Sequence, residues 1–252
     1  MSAGPHWHRF FAPALDPGDE AVALPRDEAE HLTRVLRLGV GDTVSVFDGR
    51  GHEFLGRVAC ASRRDVQVHL LSRVDPAPES PVAITLVQAV LKGEKMDDVV
   101  RDAVMLGVTA IQPMVSRRTE ATVGALLRGA RPDRWRRVAL ASVKQARRAV
   151  LPEIRTPLSF EHVLDEPAPA MRLMLVEPSA DVPVLPFHAL RPDPPPRDLE
   201  LLVGPEGGWD QAECVAAAAR GARLLSLGPR TLRADAAPIA ALSVLQFLWG
   251  DQ

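Results

Sequence analysis

The residues with the clearest chemical use are glycines, prolines and carboxylates gathered in three loops. They are Val176-Glu-Pro-Ser179, Gly204-Pro-Glu-Gly-Gly208 and Leu227-Gly-Pro-Arg-Thr-Leu-Arg-Ala-Asp235. Each follows an apolar run that reads as a buried strand, and open α/β sheets bind ligands beyond the carboxyl ends of their strands. Glycine lets the main chain approach a ligand closely and permits positive φ. Such loops offer backbone N–H and C=O groups rather than a reactive side chain. Neither Gly loop is a phosphate loop, because no Gly-Lys-Ser/Thr follows, and the dinucleotide fingerprint Gly-x-Gly-x-x-Gly is absent. A lone Gly-Gly pair is more often a simple turn. Here Pro205, Glu206 and Trp209 share the segment, and a second Gly/Pro loop follows the next strand.

A second feature is charge. The whole chain has net charge -2, which argues against a protein that coats nucleic acid non-specifically. Between Arg117 and Arg148, however, ten Arg and Lys face only Glu120 and Asp133, so ten minus two leaves +8. The stretch reads equally as a solvated helix face and as a phosphate-binding surface. His6 and His8 form His-x-His, but no further ligand stands at metal spacing, so no metal site is expected. Cys60 and Cys214 read as small core residues rather than a disulfide or zinc framework.

The elements that must position these groups fall into two parts. Residues 1–75 read as short strands with turn signals. Thr43–Phe47, His52–Ala59 and Asp65–Leu71 are strands, and Asp48-Gly-Arg-Gly51 is a turn. A helix is expected over Arg26–Leu38, stopped by Gly39. This is a small, mostly β, barrel-like domain. A Pro-rich linker over 76–81 separates it from residues 82–252, where strands and helices alternate. Strands are expected at Val82–Leu91, Val108–Val115, Met171–Val176, Leu199–Val203 and Arg223–Leu227. Helices are expected at Glu94–Leu106, Arg134–Val150, Asp210–Arg220 (with Asp210 and Glu213 in capping-box spacing) and Ala236–Trp249, the last capped by Asp235. Pro-rich insertions at 165–169 and 192–198 read as surface loops. The expected class is therefore α/β, a mainly parallel sheet flanked by helices with an N-terminal β-barrel domain.

Composition bounds the function. With 252 residues, 46% hydrophobic and 25% charged, the chain has ample core and is not disordered. No apolar stretch is long enough to span a membrane. The start has no apolar h-region, so a cytoplasmic location is expected.

These residues together resemble the SPOUT superfamily of knotted S-adenosylmethionine-dependent RNA methyltransferases, and within it the RsmE-type enzymes that methylate N3 of a uridine in 16S ribosomal RNA. The resemblance covers nearly the whole chain. It is carried by His8-Arg-Phe-Phe11, His31-Leu-Thr-Arg-Val-Leu-Arg37, Gly41-Asp42 and Asp48-Gly-Arg-Gly51, by Lys92-Gly-Glu-Lys-Met96 and Leu106-Gly-Val108, and by Gln145, Arg148, Pro152 and Ile154. The most specific matches are Gly204-Pro-Glu-Gly-Gly208 and Leu227-Gly-Pro-Arg-Thr-Leu-Arg233. The chain departs from the family at Ala234-Asp-Ala-Ala237, where Thr-Glu-Thr-Ala is common, and at Lys144, where an acid is common.

The resemblance implies a PUA-like RNA-binding barrel, a trefoil knot near the C-terminus and a homodimer. It implies S-adenosylmethionine as cofactor and the small ribosomal subunit's 16S rRNA as partner. The residues it points to for the cofactor are Val176, Glu177, Gly204, Pro205, Glu206, Gly207, Gly208, Leu227, Gly228, Arg230, Leu232 and Arg233. For RNA they are Arg34, Arg37, Arg117, Arg118, Arg147 and Arg148. For the chemistry they are Arg9, Arg148, Arg233 and Asp235. A sulfonium suits carbonyls and carboxylates and not a bare helix N-terminus. The uracil N3 proton must also leave, either to a carboxylate or with arginines stabilising the anion. Asp235 serves as base, orienter or simply helix cap, and Glu206 as a catalytic group or a brace for its loop. Two other readings stand beside this one: a SPOUT enzyme acting on another RNA, and a non-catalytic RNA-binding protein on the same scaffold. An ordinary Rossmann-like enzyme lacks its fingerprint here.

Overall fold

The computed structural model describes residues 7–62, 65–167, 169–178, 182–190 and 194–251. His6 of the His-x-His pair, Ser179 of the first loop, and Ala168 and residues 192–193 of the Pro-rich insertions lie outside the described residues. The chain divides into two units. The first is residues 1–78 with Val143–Leu151, and the second is Glu79–Ser142 with Pro152–Gln252.

In the first unit, strands β1 (Arg9–Phe11), β2 (Ala21–Ala23), β3 (Thr43–Phe47), β4 (Glu53–Ala61) and β5 (Val66–Val74) form one sheet in the order β1-β3-β4-β5-β2. Only β1–β3 is parallel. The alternation of Val44, Val46, Val58, Val66 and Val68 buries one face against Phe10, Leu15 and Leu32. Helix α1 (Arg26–Glu30) runs into a π-helical turn over His31–Val35. The left-handed residue that ends it is Arg37, φ 56°, and not Gly39, because the Leu38 N–H turns back to the Leu32 carbonyl at 3.0 Å.

The second unit holds β6 (Ala83–Ala89), α2 (Lys95–Met105), β7 (Ala110–Val115), α3 (Val123–Arg128), α4 (Arg131–Gln145, whose last turn counts with the first unit), β8 (Glu153–Ile154), β9 (Leu158–Ser159), α5 (Phe160–Asp165), β10 (Met171–Leu175), β11 (Leu185–Pro186), β12 (Asp198–Val203), α6 (Gln211–Ala219), β13 (Arg223–Ser226) and α7 (Ala236–Trp249). The sheet order is β11-β13-β10-β12-β6-β7-β8, with β9 also on β7, and every pairing is parallel. The carboxyl ends of β6, β10, β12 and β13 therefore share one edge. From β13 the chain returns past β10 so that α7 packs on α2 and β12.

Two helix expectations change. The helix expected over Arg134–Val150 is α4 and stops at Gln145. Arg147 takes φ 58° and the Arg148 N–H bonds the Val143 carbonyl at 3.1 Å, which turns the chain out of the helix. At α7 the bounds match, but Asp235 makes no side-chain cap; its carboxylate faces Arg233 instead.

The basic stretch is not one face. Arg117, Arg134, Arg136 and Lys144 pair with Asp210, Glu94, Asp133 and Glu28, while Arg118 and Arg131 donate to the carbonyls of Gly207 and Leu91. Much of its charge is thus balanced by specific partners.

Candidate cofactor cleft and its surroundings

A cleft of about 340 Å³ opens at the shared carboxyl edge of the second unit. Its walls come from the three loops read as ligand-binding. Val176, Glu177, Gly204, Pro205, Glu206, Gly208, Leu227, Arg230, Leu232, Arg233 and Asp235 all line it. Gly207 and Gly228 lie in the same loops without lining it.

The 204–208 loop is tight for stated reasons. The Gly208 N–H bonds the Pro205 carbonyl at 2.9 Å, and Gly208 has φ +68°. A Cβ there would stand 3.0 Å from Glu177 Oε1. At Gly204 a Cβ would come within 3.1 Å of the Trp209 ring, and at Gly207 within 3.2 Å of Arg118 Cβ. Trp209 Nε1–H donates to the Leu175 carbonyl at 2.7 Å and its ring tilts on Phe160, 5.5 Å between centroids. One indole thus ties the end of β10 to the loop after β12. On the far side Arg118 donates to the Gly207 carbonyl at 2.9 Å. The Arg117 N–H donates to Glu213, and its guanidinium to Asp210. Asp210 and Glu213 form the expected capping box.

Among the carboxylates that line the cleft, Glu206 is held by two donors. Its Oε1 accepts from the Lys92 N–H at 3.1 Å and from Lys95 Nζ at 3.0 Å. Burial works to raise its carboxyl, but the Lys95 ammonium and backbone N–H donors outweigh that and hold it below the usual carboxylate range. Across the cleft Arg233 Nη2 donates to Asp235 Oδ2 at 3.0 Å, with Arg233 largely exposed.

Arg9 and Arg148 do not line this cleft. Arg9 lies in the first unit, over the Phe47 ring and paired with Glu53, and Arg148 is buried. Arg34, Arg37 and Arg147 are exposed. Lys95, Trp209, Thr231 and Ala237 line the cleft and were not singled out as its ligands. The strand-end rule, applied also to β6, would have found Lys95, because β6 lies beside β12 and Lys95 opens the next helix. Among the described residues no cluster of His, Cys, Asp and Glu could hold a metal ion.

The sequence matches the family described as "RNA methyltransferase domain" over residues 78–246 and that described as "RNA methyltransferase PUA domain" over 24–71. It is 33% identical to ribosomal RNA small subunit methyltransferase E of Synechocystis sp., over 91% of this chain and 74% of that protein. A crystal structure of the enzyme of that name from Neisseria gonorrhoeae, bound to S-adenosylmethionine, superposes with TM-score 0.87 at 31% identity, covering 98% and 99% of the two chains. A Legionella pneumophila methyltransferase in complex with the same cofactor gives TM-score 0.89 at 30% identity, over 98% and 100%.

Proposed function

This chain belongs to the RNA methyltransferase family and is an rRNA methyltransferase, and from that premise we propose that it uses S-adenosylmethionine to methylate N3 of one uridine in the 16S rRNA of the small ribosomal subunit. The observation that carries the reading is that loops 176–178, 204–208 and 227–235 wall one cleft together. Its volume lies in the range of about 300–1,000 Å³ that suits small ligands.

The residues fit the cofactor chemically. Main-chain carbonyls and the carboxylates of Glu177, Glu206 and Asp235 suit a cation, while exposed backbone N–H groups suit the adenine and the methionine carboxylate. The positive end of α6, close in sequence, is already met by Asp210 and Glu213. The residues that would hold the cofactor are Val176, Glu177, the 204–208 loop, Leu227, Gly228, Arg230, Leu232 and Arg233. When bound it supplies a methyl carbon on a cationic sulfonium. The protein's part is to fix that carbon in line with N3 and to exclude water. The pairing of Arg233 and Asp235 on the cleft wall supports a role in orienting the base.

The PUA unit, with Arg34 and Arg37 exposed, supports RNA binding outside the cleft, and unpaired bases are the usual target of such recognition. The return of the chain from β13 to α7 supports the knot that the resemblance implies. Val244 and Phe247 are exposed apolar residues on α7, and they support a homodimer formed through that helix. Among the described residues no helix is long and apolar enough to cross a membrane. A ribosomal substrate would place the work in the cytoplasm.

The test is transfer of labelled methyl from S-adenosylmethionine to small subunits lacking the modification, beside naked 16S rRNA, with the labelled nucleotide mapped. Label at one uridine N3, stronger on the subunit, is expected. Label on another RNA only would move the target. Absence of both label and cofactor binding would favour a scaffold that binds RNA without catalysis.

A further inference from the structure

We propose that Lys95 stabilises the negative charge that develops on the uracil ring as its N3 proton leaves, a role that rests on the uridine reading above. Lys95 opens α2 and lines the cofactor cleft. Glu206 accepts one of its three ammonium protons at 3.0 Å and is itself held by the Lys92 N–H. The ammonium is therefore anchored in one place with donors to spare, at the positive end of a helix of 11 residues.

The rate depends on where the N3 proton goes. Neutral uracil N3 is a poor nucleophile, so either a base must take its proton or the anion must be made cheaper to form. Two carboxylates on the cleft wall are already engaged by cations. Glu206 lies below the usual carboxylate range, with Lys95 bonded to it. Asp235 already accepts from Arg233. Glu177 stands against the Gly208 turn. Stabilising the anion is then the more effective route. Of the cations on the wall, Arg230 and Arg233 are exposed, whereas the Lys95 side chain is only 36% exposed and is pinned by Glu206. A fixed and less screened charge acts more strongly on a developing anion.

In the step itself the N3–H bonding pair stays on N3 while the proton passes to water. That pair forms the new N–CH₃ bond, and the S–CH₃ bonding pair remains on sulfur. Methylated uridine and S-adenosylhomocysteine, both neutral at the reacting atoms, are left. The charge next to Lys95 exists only during the reaction, which is where an interaction accelerates it.

The experiment measures single-turnover methylation of small subunits lacking the modification, across about pH 6.5–9.5, by the wild type, Lys95→Met and Lys95→Arg, with S-adenosylmethionine affinity measured separately by calorimetry. The facing charged groups Glu177, Glu206, Arg230, Arg233 and Asp235 are kept throughout. Lys95→Met is expected to be slower by about 10²–10³-fold near neutral pH, with cofactor affinity nearly unchanged. Its deficit should narrow as pH rises, because solvent base then removes the proton unaided, and Lys95→Arg should recover part of the rate. A deficit that does not vary with pH, or cofactor affinity lost in step with rate, overturns the proposal and leaves Lys95 as a brace for the Glu206 loop. Wild-type protein that places no methyl on uridine N3 overturns the uridine reading itself, and this role with it.

Discussion

Arg9 and Glu53 form a bidentate ion pair, Nε to Oε1 at 2.9 Å and Nη2 to Oε2 at 2.8 Å. The other donors of the same guanidinium end on the carbonyls of Val143 and Lys144 at 3.2 and 3.1 Å and of Arg148 at 2.8 Å. All five N–H groups thus have acceptors, and Ser45 also donates to Glu53. The arginine reads as the clamp that holds segment 143–151 to the first unit's sheet. Arg9→Ala should leave Glu53 buried and unpaired and destabilise the protein by about 3 kcal/mol. Calorimetric unfolding should show a midpoint lower by roughly 6–12 °C. A variant of unchanged stability but no methyl transfer would instead return Arg9 to the chemistry.

Gly208 should be the least replaceable residue of its loop. Its φ of +68° disfavours any side chain, and a Cβ would press on Glu177 at 3.0 Å. Gly208→Ala is expected to cost about 1–2 kcal/mol of stability and to weaken S-adenosylmethionine binding by roughly tenfold, as read by titration calorimetry. Gly221, with φ +83° and nothing within 4 Å of a Cβ, is the control. Gly221→Ala should cost about 1 kcal/mol and leave binding alone. Equal binding losses in both would mean that positive φ, and not the approach to Glu177, matters.

Much of this arrangement was readable from local pattern. The capping box at Asp210 and Glu213, the bounds of α7 and the three loops at strand ends follow from rules that act over a few residues. What local pattern missed has two causes. Left-handed backbone is expected of glycine, yet at these two helix ends it falls on Arg37 and Arg147, where the Leu38 and Arg148 N–H groups turn back to the Leu32 and Val143 carbonyls. The roles of Arg9 depend on partners more than 130 positions away, Val143, Lys144 and Arg148, and no spacing rule reaches them. The same holds for Asp235, whose position suits a cap while its carboxylate goes to Arg233. Whether the basic stretch is a solvated face or a phosphate-binding surface depends on its carboxylate partners Asp210, Glu94, Asp133 and Glu28, three of which no local spacing rule supplies.

The proposed homodimer predicts that the exposed side of α7 carries the subunit contact. Phe247 is 73% exposed at the end of a helix that is apolar on more than one face. Phe247→Asp places a charge on that surface and, if a second copy covers it, should shift the protein from dimer to monomer in sedimentation velocity without lowering its helix content. A mass that stays unchanged would remove α7 from the interface.

Glu206 should make stability depend on acid in a defined direction. Its folded pKa is depressed, so the stability it contributes is full above the unfolded carboxylate pKa of about 4.3 and is lost as pH falls through the lower folded value. Glu206→Gln removes that charge but keeps its shape. At pH 7 it should cost about 1 kcal/mol, discounted because the group is partly exposed. As pH falls through that lower folded value the wild type protonates Glu206 as well, and the two unfolding midpoints should converge. Urea unfolding at a series of pH values measures this gap. A gap that stays constant into acid would mean that the Lys95–Glu206 pair contributes through packing and not through charge.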